Sequence, residues 1–343
     1  MKRLRVCLTA ALGSFVSLVV APLLAPLVAQ SSVIDIGTLG PNPYQSSALW
    51  AVNDRNQAVG WCEIGGSDTD RAILWDDGQL IDLGVLPGDT ASSARAINER
   101  AQVVGISVDH NLARAHAFRW QDGAMVDLTQ PGANSCYAFD INNRGDIAGA
   151  CDRDPMVWTG DAATRLALPD GYTWGTADAI NDAGVIAGTM QLPFGPRVPV
   201  RWRNGVPTPL PLPPGATSGV VNGINARGVI VGYVVTAVGY EPVLWEDDVP
   251  IPLAGRWGGF QGYAWGINDR GDIAVHGWAS PTNAYGGHVW RDGVFLLLEG
   301  DGSVHDINNR GVVVGRIFVD SGIIHGAIWP KALTRFPVHG VVR

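Results

Sequence analysis

The sequence predicts an all-β fold, a seven-bladed β-propeller of four-stranded antiparallel blades. Three observations carry this. A turn of the form Asn-x-x-Gly recurs at Asn53, Asn98, Asn142, Asn181, Asn225, Asn268 and Asn308, with spacings of 39 to 45 residues. A tryptophan follows each asparagine at a similar interval: Trp75, Trp120, Trp158, Trp202, Trp245, Trp290 and Trp329. The last repeat stops after Trp329 without its fourth strand, and residues 33–40 at the other end parallel residues 80–88. A period of about 40–45 residues built from strand-like units marks a propeller. An N-terminal strand at about 33–39 that completes the last blade would close the ring and remove exposed sheet edges.

The chain begins with Lys2, Arg3 and Arg5, followed by an apolar run over 6–28 broken by Pro22 and Pro26. Small Ala29 follows Leu27 and Val28 as a cleavage position. This layout is that of a secretory signal peptide over 1–29; the rival is an uncleaved membrane anchor. Residues 30–343 then form one propeller domain with a short C-terminal tail at about 331–343. The expected localisation is secreted or periplasmic, as a monomer with no membrane span after cleavage. The whole chain carries 24 basic and 32 acidic residues. Losing the leader removes three positive charges and makes the balance more negative still. Such a surface excludes nucleic acid and anionic membrane as partners.

Each repeat holds four short segments rich in Val, Ile, Phe and Trp, bounded by turn residues. In the second repeat they are 93–97, 102–106, 116–120 and 125–128. Between the first two segments, the third residue after the asparagine is Gly145, Gly184, Gly228, Gly271 or Gly311, with Asn56 in the first repeat and Ala101 as the departure. Glycine and asparagine tolerate positive φ, and an asparagine side chain can bond the backbone two residues on. Between segments three and four, Asp77-Gly78, Asp122-Gly123, Asn204-Gly205 and Asp292-Gly293 are strong hairpin signals. The sixth repeat places Val275 where the others have glycine, and a bulge is expected there.

Three cysteines follow the leader: Cys62, Cys136 and Cys151. If Asn142 to Gly145 form a four-residue turn, Ile141 faces Asp146 and Phe139 faces Ala148. Continuing outward, Cys136 faces Cys151, close enough to be bridged. Cys62 occupies the repeat position of Cys151, but Ser47 stands opposite, so Cys62 is expected to be free.

With these residues in view, the repeats resemble the HAF repeat of predicted extracellular bacterial proteins. Ala96-Ile97-Asn98, Val103-Val104-Gly105, His116-Ala117-Phe118-Arg119-Trp120, Asp122-Gly123 and Asp127-Leu128 match one full copy. The His-Ala-Phe triplet is intact only at His116; at His325 the chain reads His-Gly-Ala-Ile-Trp. The resemblance covers about residues 33 to 329. It implies export and a repeat fold, and it brings no activity or catalytic residues.

Enzyme signatures are largely missing. There is no Gly-x-Ser-x-Gly, phosphate loop, His-Glu-x-x-His or paired-cysteine spacing. No catalytic residue, cofactor or metal ligand is assigned. Asp140-x-Asn142-x-x-Gly145-Asp146 is similar to calcium loops, but Arg144 stands where a central carboxylate is needed. Arg144-Gly145-Asp146 and Arg270-Gly271-Asp272 spell an adhesion tripeptide inside turns that already require glycine.

Comparison among the repeats yields the candidate site. One residue before each asparagine is aliphatic, four before is apolar, but three before is mixed: Trp50, Arg95, Phe139, Asp178, Asn222, Trp265 and His305. If the first segment is the innermost strand, these seven form a ring at the channel mouth. Their indoles, phenyl, charges and amide suit a polar ligand such as a sugar. Trp61, Phe194, Tyr233, Tyr240, Trp278 and Tyr285, with Tyr44, Tyr172, Trp174, Trp257 and Phe260, fall in or near links that open on one face. The expected function is non-catalytic binding or scaffolding of a glycan, protein or other extracellular or envelope ligand. The alternative is a carbohydrate- or ester-active enzyme with its site in the central channel.

Overall fold

A computed structural model describes residues 28–29, 33–42, 44–65, 69–109, 114–160, 162–253, 260–279, 284–320, 322–330 and 332. The expected leader over 1–29, apart from residues 28–29, and all of the tail but residue 332 lie outside these. The described strands form seven sheets around a central channel, one per repeat. In the first blade, Ser47–Val52, Ala58–Glu63, Asp70–Asp76 and Gln79–Asp82 pair in order from the channel outward. The inner strands of the next six blades are Ala91–Ile97, Cys136–Ile141, Trp174–Ile180, Ser218–Ile224, Phe260–Ile267 and Gly302–Ile307.

The ring closes as the sequence predicts, through a shorter strand. Ile34–Asp35 pairs antiparallel with Ile323–Trp329, aligning Ile34 with Ile328. One more bond, from the Ile36 amide to the Gly326 carbonyl, extends the contact. Gly37, at φ +66°, then turns the chain away, so the strand ends well before residue 39. Val28–Ala29 lies parallel to the outer strand of blade 6, beside Leu297 and Leu298.

Hydrophobic clusters sit between neighbouring blades. One joins Ala96, Val104, Ala117 and Leu128 of blade 2 to Ala138, Ile141, Ile147 and Trp158 of blade 3. In blades 3 and 4 the repeated tryptophan and the repeated glycine meet. A Cβ on Gly149 would stand 2.0 Å from the Tyr137 carbonyl oxygen and 2.9 Å from the Trp158 ring. Trp158, Trp202, Trp245 and Trp329 are fully buried. Each donates its indole N–H to a carbonyl in the link from the preceding blade: Leu128, Ala167, Pro211 and Glu299.

The asparagine both makes the turn and joins the blades. Its side-chain oxygen accepts from the amides two and four residues on, as Asn142 does from Arg144 and Asp146. Its side-chain nitrogen donates to the backbone carbonyl of the next blade's asparagine. The series runs Asn53 to Asn98, Asn142, Asn181, Asn225, Asn268, Asn308 and back to Asn53, with every bond at 2.8–3.1 Å. All seven asparagines are buried. A second ring surrounds it at the following residue, where the Asp54 amide meets Glu99, Glu99 meets Asn143, and Asn143 meets Asp182. It resumes from Ala226 to Asp269, Asn309 and Asp54, lacking only the link that the methyl of Ala226 cannot accept.

The hairpin register corrects the expected turn. Asn142 itself pairs with Asp146 and Ile141 with Ile147, so the connection has three residues and a left-handed Gly145 at φ +90°. This is the three-residue hairpin with a glycine bulge. Ile141 therefore does not face Asp146, and Phe139 does not face Ala148. Phe139 is skipped in the ladder, which restores the register beyond it and aligns Cys136 with Cys151. The two one-residue errors cancel at the cysteines, which are disulfide-linked. Cys62 is a buried free thiol.

The bulge expected at Val275 is absent. Val275 pairs regularly with Ala264 and His288. In blade 6 the close approach moves two residues on, to Gly277, where a Cβ would meet the Gln261 carbonyl oxygen at 2.1 Å. In blade 5, Asp247 and Asp248 (φ 49° and 64°) replace the Asp-Gly hairpin. Both adhesion-like tripeptides serve their turns: Arg144 bonds Asp146, and Asp272, 1% exposed, is held by Asn268, Arg270 and Arg291.

Two stability outcomes follow. Ala101 adopts the left-handed φ of +56° that other repeats give to glycine or asparagine. Ala101→Gly is expected to stabilise the protein by about 1 kcal/mol, read as a higher denaturation midpoint. Asn142→Ala leaves the part-buried Arg144 and Asp146 amides without their acceptor and removes one of the two bonds to the Asn181 carbonyl, and is expected to cost about 3 kcal/mol in denaturant titration.

Candidate functional site

The seven mixed positions are brought together at one mouth of the channel, and a common backbone feature puts them there. In every inner strand the ladder register shifts by one residue. The residues skipped are Trp50, Arg95, Phe139, Asp178, Asn222, Trp265 and His305. A bulge bends the strand and re-aims the extra residue. All seven line a cavity of about 350 Å³, together with Trp174, Thr176, Thr189, Arg197, Val220 and Val221. Below it, the channel narrows to a space of about 180 Å³ that the same seven also border.

The rings at this mouth form a continuous series. His305 stacks on Trp50, with centroids 4.4 Å apart, and Trp265 meets His305 edge-on at 5.9 Å. Tyr263 lies 6.1 Å from Trp265, and half-exposed Tyr240 lies 5.1 Å from Tyr263. At the other end, the Arg95 guanidinium stands 5.0 Å from the Trp50 ring centre. An aromatic track therefore runs from the rim of blade 5 across blades 6 and 7 to blade 1, ending on a cation held over an indole. Tyr44, Phe194, Tyr240, Trp278 and Tyr285 are exposed. Phe260 is buried against Phe295 and His288, so it belongs to the core rather than to the aromatic face. Trp257 lies outside the described residues.

Asp178, Arg95 and His305 do not converge. Asp178 accepts a hydrogen bond from Thr189 Oγ1 at 2.9 Å, on the opposite arc of the mouth. Burial pushes its carboxyl up to about 6, against the Thr176 and Thr189 hydroxyls and the Arg197 charge, which pull the other way. His305 donates from Nδ1 to the Leu49 carbonyl at 2.7 Å, and burial pushes it down to about 3. Its ring is thus neutral at physiological pH. Ser303 Oγ is 3.3 Å from His305 Nε2, but it also accepts from Arg316 Nε and is not among the residues lining the cavity. Burial likewise lowers Arg95 from the usual arginine value. Asn222 donates to the Ala264 carbonyl.

Two groups were missed by comparing only three positions before each asparagine. The position two before it is Ala51, Ala96, Asp140, Ala179, Gly223, Gly266 and Asp306. Its two carboxylates among small residues were a readable signal. Asp140 accepts from the Ile180 amide of the next blade, and Asp306 from the Val52 amide across the ring closure. Burial raises both to about 6, against these backbone donors. The position eight after the asparagine is as varied as the mouth series: Trp61, Ile106, Ala150, Thr189, Tyr233, His276 and Arg316. Arg197 has no comparable signal, and Trp174 was marked only as one of the aromatics in links on one face. Among the described residues, no group of three or more His, Cys, Asp or Glu could hold a metal ion.

The chain matches no protein-family model and no curated sequence. Solved propellers are similar in fold. The β-propeller domain of the Trilobed protease from Pyrococcus furiosus is 8% identical, with a TM-score of 0.57, over 84% of this chain and 96% of that one. YCF48 bound to D1 peptide is 10% identical, TM-score 0.53, over 91% and 100%. A puromycin-hydrolysing peptidase of Mycobacterium tuberculosis is 13% identical, TM-score 0.55, over 86% and 55%. Proteins of this fold thus include enzymes and binding proteins, and at these identities the likeness concerns the fold alone.

The raised Asp178 carboxyl has a measurable sign. Folded protein holds this proton between the ordinary 3.8 and about 6, so the group's stabilising effect is lost as pH rises through about 6. Carboxyl NMR is expected to show Asp178 titrating near pH 6. The stability of wild type relative to Asp178→Asn is expected to fall between about pH 4 and 6; a rise would contradict the raised value.

Proposed function

We propose that this protein is an exported, non-catalytic binding module whose channel mouth takes a glycan. The observation that carries the reading is the aromatic track Tyr240, Tyr263, Trp265, His305 and Trp50, with Arg95 at its end. Sugar rings present apolar C–H faces to indole and phenol rings while their hydroxyls bond polar neighbours. A run of neighbouring rings of this length suits several consecutive sugar units better than one small substrate. Asn222, Asp178 and Arg197 on the far side of the mouth supply hydrogen-bonding groups.

An enzymatic reading has less support. The candidate acid, Asp178, lies on the opposite arc from His305 and Arg95, and Asp178 and His305 bond to different partners. A histidine pushed down to about 3 is a weak proton acceptor at neutral pH. The export and the extracellular or envelope ligand are part of the same proposal. They are supported by the layout of the first 29 residues and by the HAF-like motifs.

The test is a glycan array probed with the mature chain, followed by titration of its best ligand. Trp50→Ala and Trp265→Ala are each expected to weaken binding about tenfold, or 1.4 kcal/mol. Undiminished binding in both variants, or an array with no specific ligand, would overturn the reading.

A further inference from the structure

Two arginines line the mouth cavity, and each lies over an indole. Arg95 stands 5.0 Å from the Trp50 ring centre and Arg197 5.9 Å from that of Trp174. They are not equally engaged. Arg197 is exposed, and its charge favours the ionised forms of Asp178 and Tyr233. Arg95 is set deeper. Burial alone pulls its guanidinium below the usual arginine value, with no carboxylate near enough to oppose the shift. Elsewhere Arg144, Arg165, Arg201 and Arg291 each pair with an aspartate. Among the described residues, Arg95 has neither such a pair nor a hydrogen bond. Its Nε is enclosed and beyond a ligand's reach. The two Nη nitrogens are not enclosed, and the side chain borders both the mouth and the neck below it.

The other ionisable groups around this space already have partners. Asp178 accepts from Thr189, Asp140 from the Ile141 and Ile180 amides, and Asp306 from the Ile307 and Val52 amides. Neutral His305 bonds the Leu49 carbonyl. A half-buried cation without a counter-charge is costly, and a ligand that brings one relieves the cost. The open edge of the guanidinium narrows the class. Two parallel N–H bonds from the Nη pair match the two oxygens of a carboxylate. The aromatic track leading to Arg95 carries no charge, so the ligand's negative group belongs at its end and not along it. Asp140 and Asp306 border the neck and oppose a chain of many negative groups threading inward.

We propose that the mouth takes an acidic glycan whose terminal unit is a hexuronate, with its carboxylate on the Nη edge of Arg95. The inference rests on the glycan reading of the mouth and adds the ligand's charge and direction. The uronate lies at blades 1 and 2, and neutral units follow along blades 7, 6 and 5.

The experiment is calorimetric titration of the mature chain with tetrasaccharide pairs that differ only in the terminal unit: glucose or glucuronate, galactose or galacturonate, mannose or mannuronate. The 6-sulfate of each neutral member is a third arm. In at least one pair the uronate is expected to bind about tenfold or more tighter than its neutral counterpart. Arg95→Gln, with unchanged circular dichroism, should bring that ratio to about one. Arg95→Lys, which keeps the charge and loses the fork, should lower the ratio without levelling it. Trp265→Ala should weaken both members of the pair and leave the ratio. Equal binding within every pair overturns this inference and leaves the glycan reading standing. So does a ratio unchanged in both Arg95 variants. A 6-sulfate bound more tightly than the uronate overturns the carboxylate assignment. Binding to none of the set overturns the inference as well, and the glycan array then decides the channel reading separately.

Discussion

The structure rests on seven buried asparagine side chains that each complete two tasks with one amide. The oxygen holds its own hairpin by taking two backbone amides. The nitrogen reaches across to the next blade and takes the carbonyl of the asparagine there. The turn that shapes a blade is thus the same residue that spaces it from its neighbour. No other side chain performs both. Aspartate would keep the acceptor and lose the donor, and serine is too short to span both. In an open array, terminal repeats need special caps because their outer faces have no partner. Here the last bond, from Asn308 to the Asn53 carbonyl, joins the same pair of groups as the first, so no blade is terminal in this layer.

Much of this frame was legible because its causes repeat. In blades 3 and 4 the tryptophan lies over a glycine that backbone contact forbids from carrying a side chain, and the same close backbone approach holds the glycine in blades 1, 2, 5 and 7. The Asp-Gly pairs reflect two successive left-handed residues in a two-residue hairpin. Cysteine pairing was legible for a weaker reason. The expected turn was one residue too long and the expected strand lacked its bulge, and the two errors cancelled only beyond Phe139. A bulge leaves no mark in hydrophobic pattern when the skipped residue faces a channel that accepts any side chain. The chain's departures were harder to read. Val275 looks like a defect until Gly277 is seen to take over the close approach.

The candidate site was legible in membership but not in arrangement. Counting from the asparagine found all seven mouth residues. It could not show that they divide into an aromatic arc and a polar arc. That division depends on which blades neighbour one another around the closure, bringing His305 of the last blade onto Trp50 of the first. The inter-blade carboxylates Asp140 and Asp306 carried a signal in their contrast with alanine and glycine at the same repeat position. Arg197 reaches the cavity from a position with no such contrast, and only three-dimensional proximity reveals it, whereas Trp174 was already visible as a link aromatic.

The bulge in every inner strand separates two jobs that ordinary strands combine. A residue within a ladder must fit a partner on either side, so changing it disturbs its neighbours. Each mouth residue instead stands outside the pairing register, with the ladder resumed by the small residue or aspartate that follows it. Its side chain can be exchanged while the sheet beneath keeps its alignment. The mouth therefore works as a panel of seven interchangeable sockets on one fixed frame. Two such proteins could share every turn and every blade and still present different chemistry at the mouth. This is how tryptophan, arginine, phenylalanine, aspartate, asparagine and histidine can occupy equivalent places within a single chain.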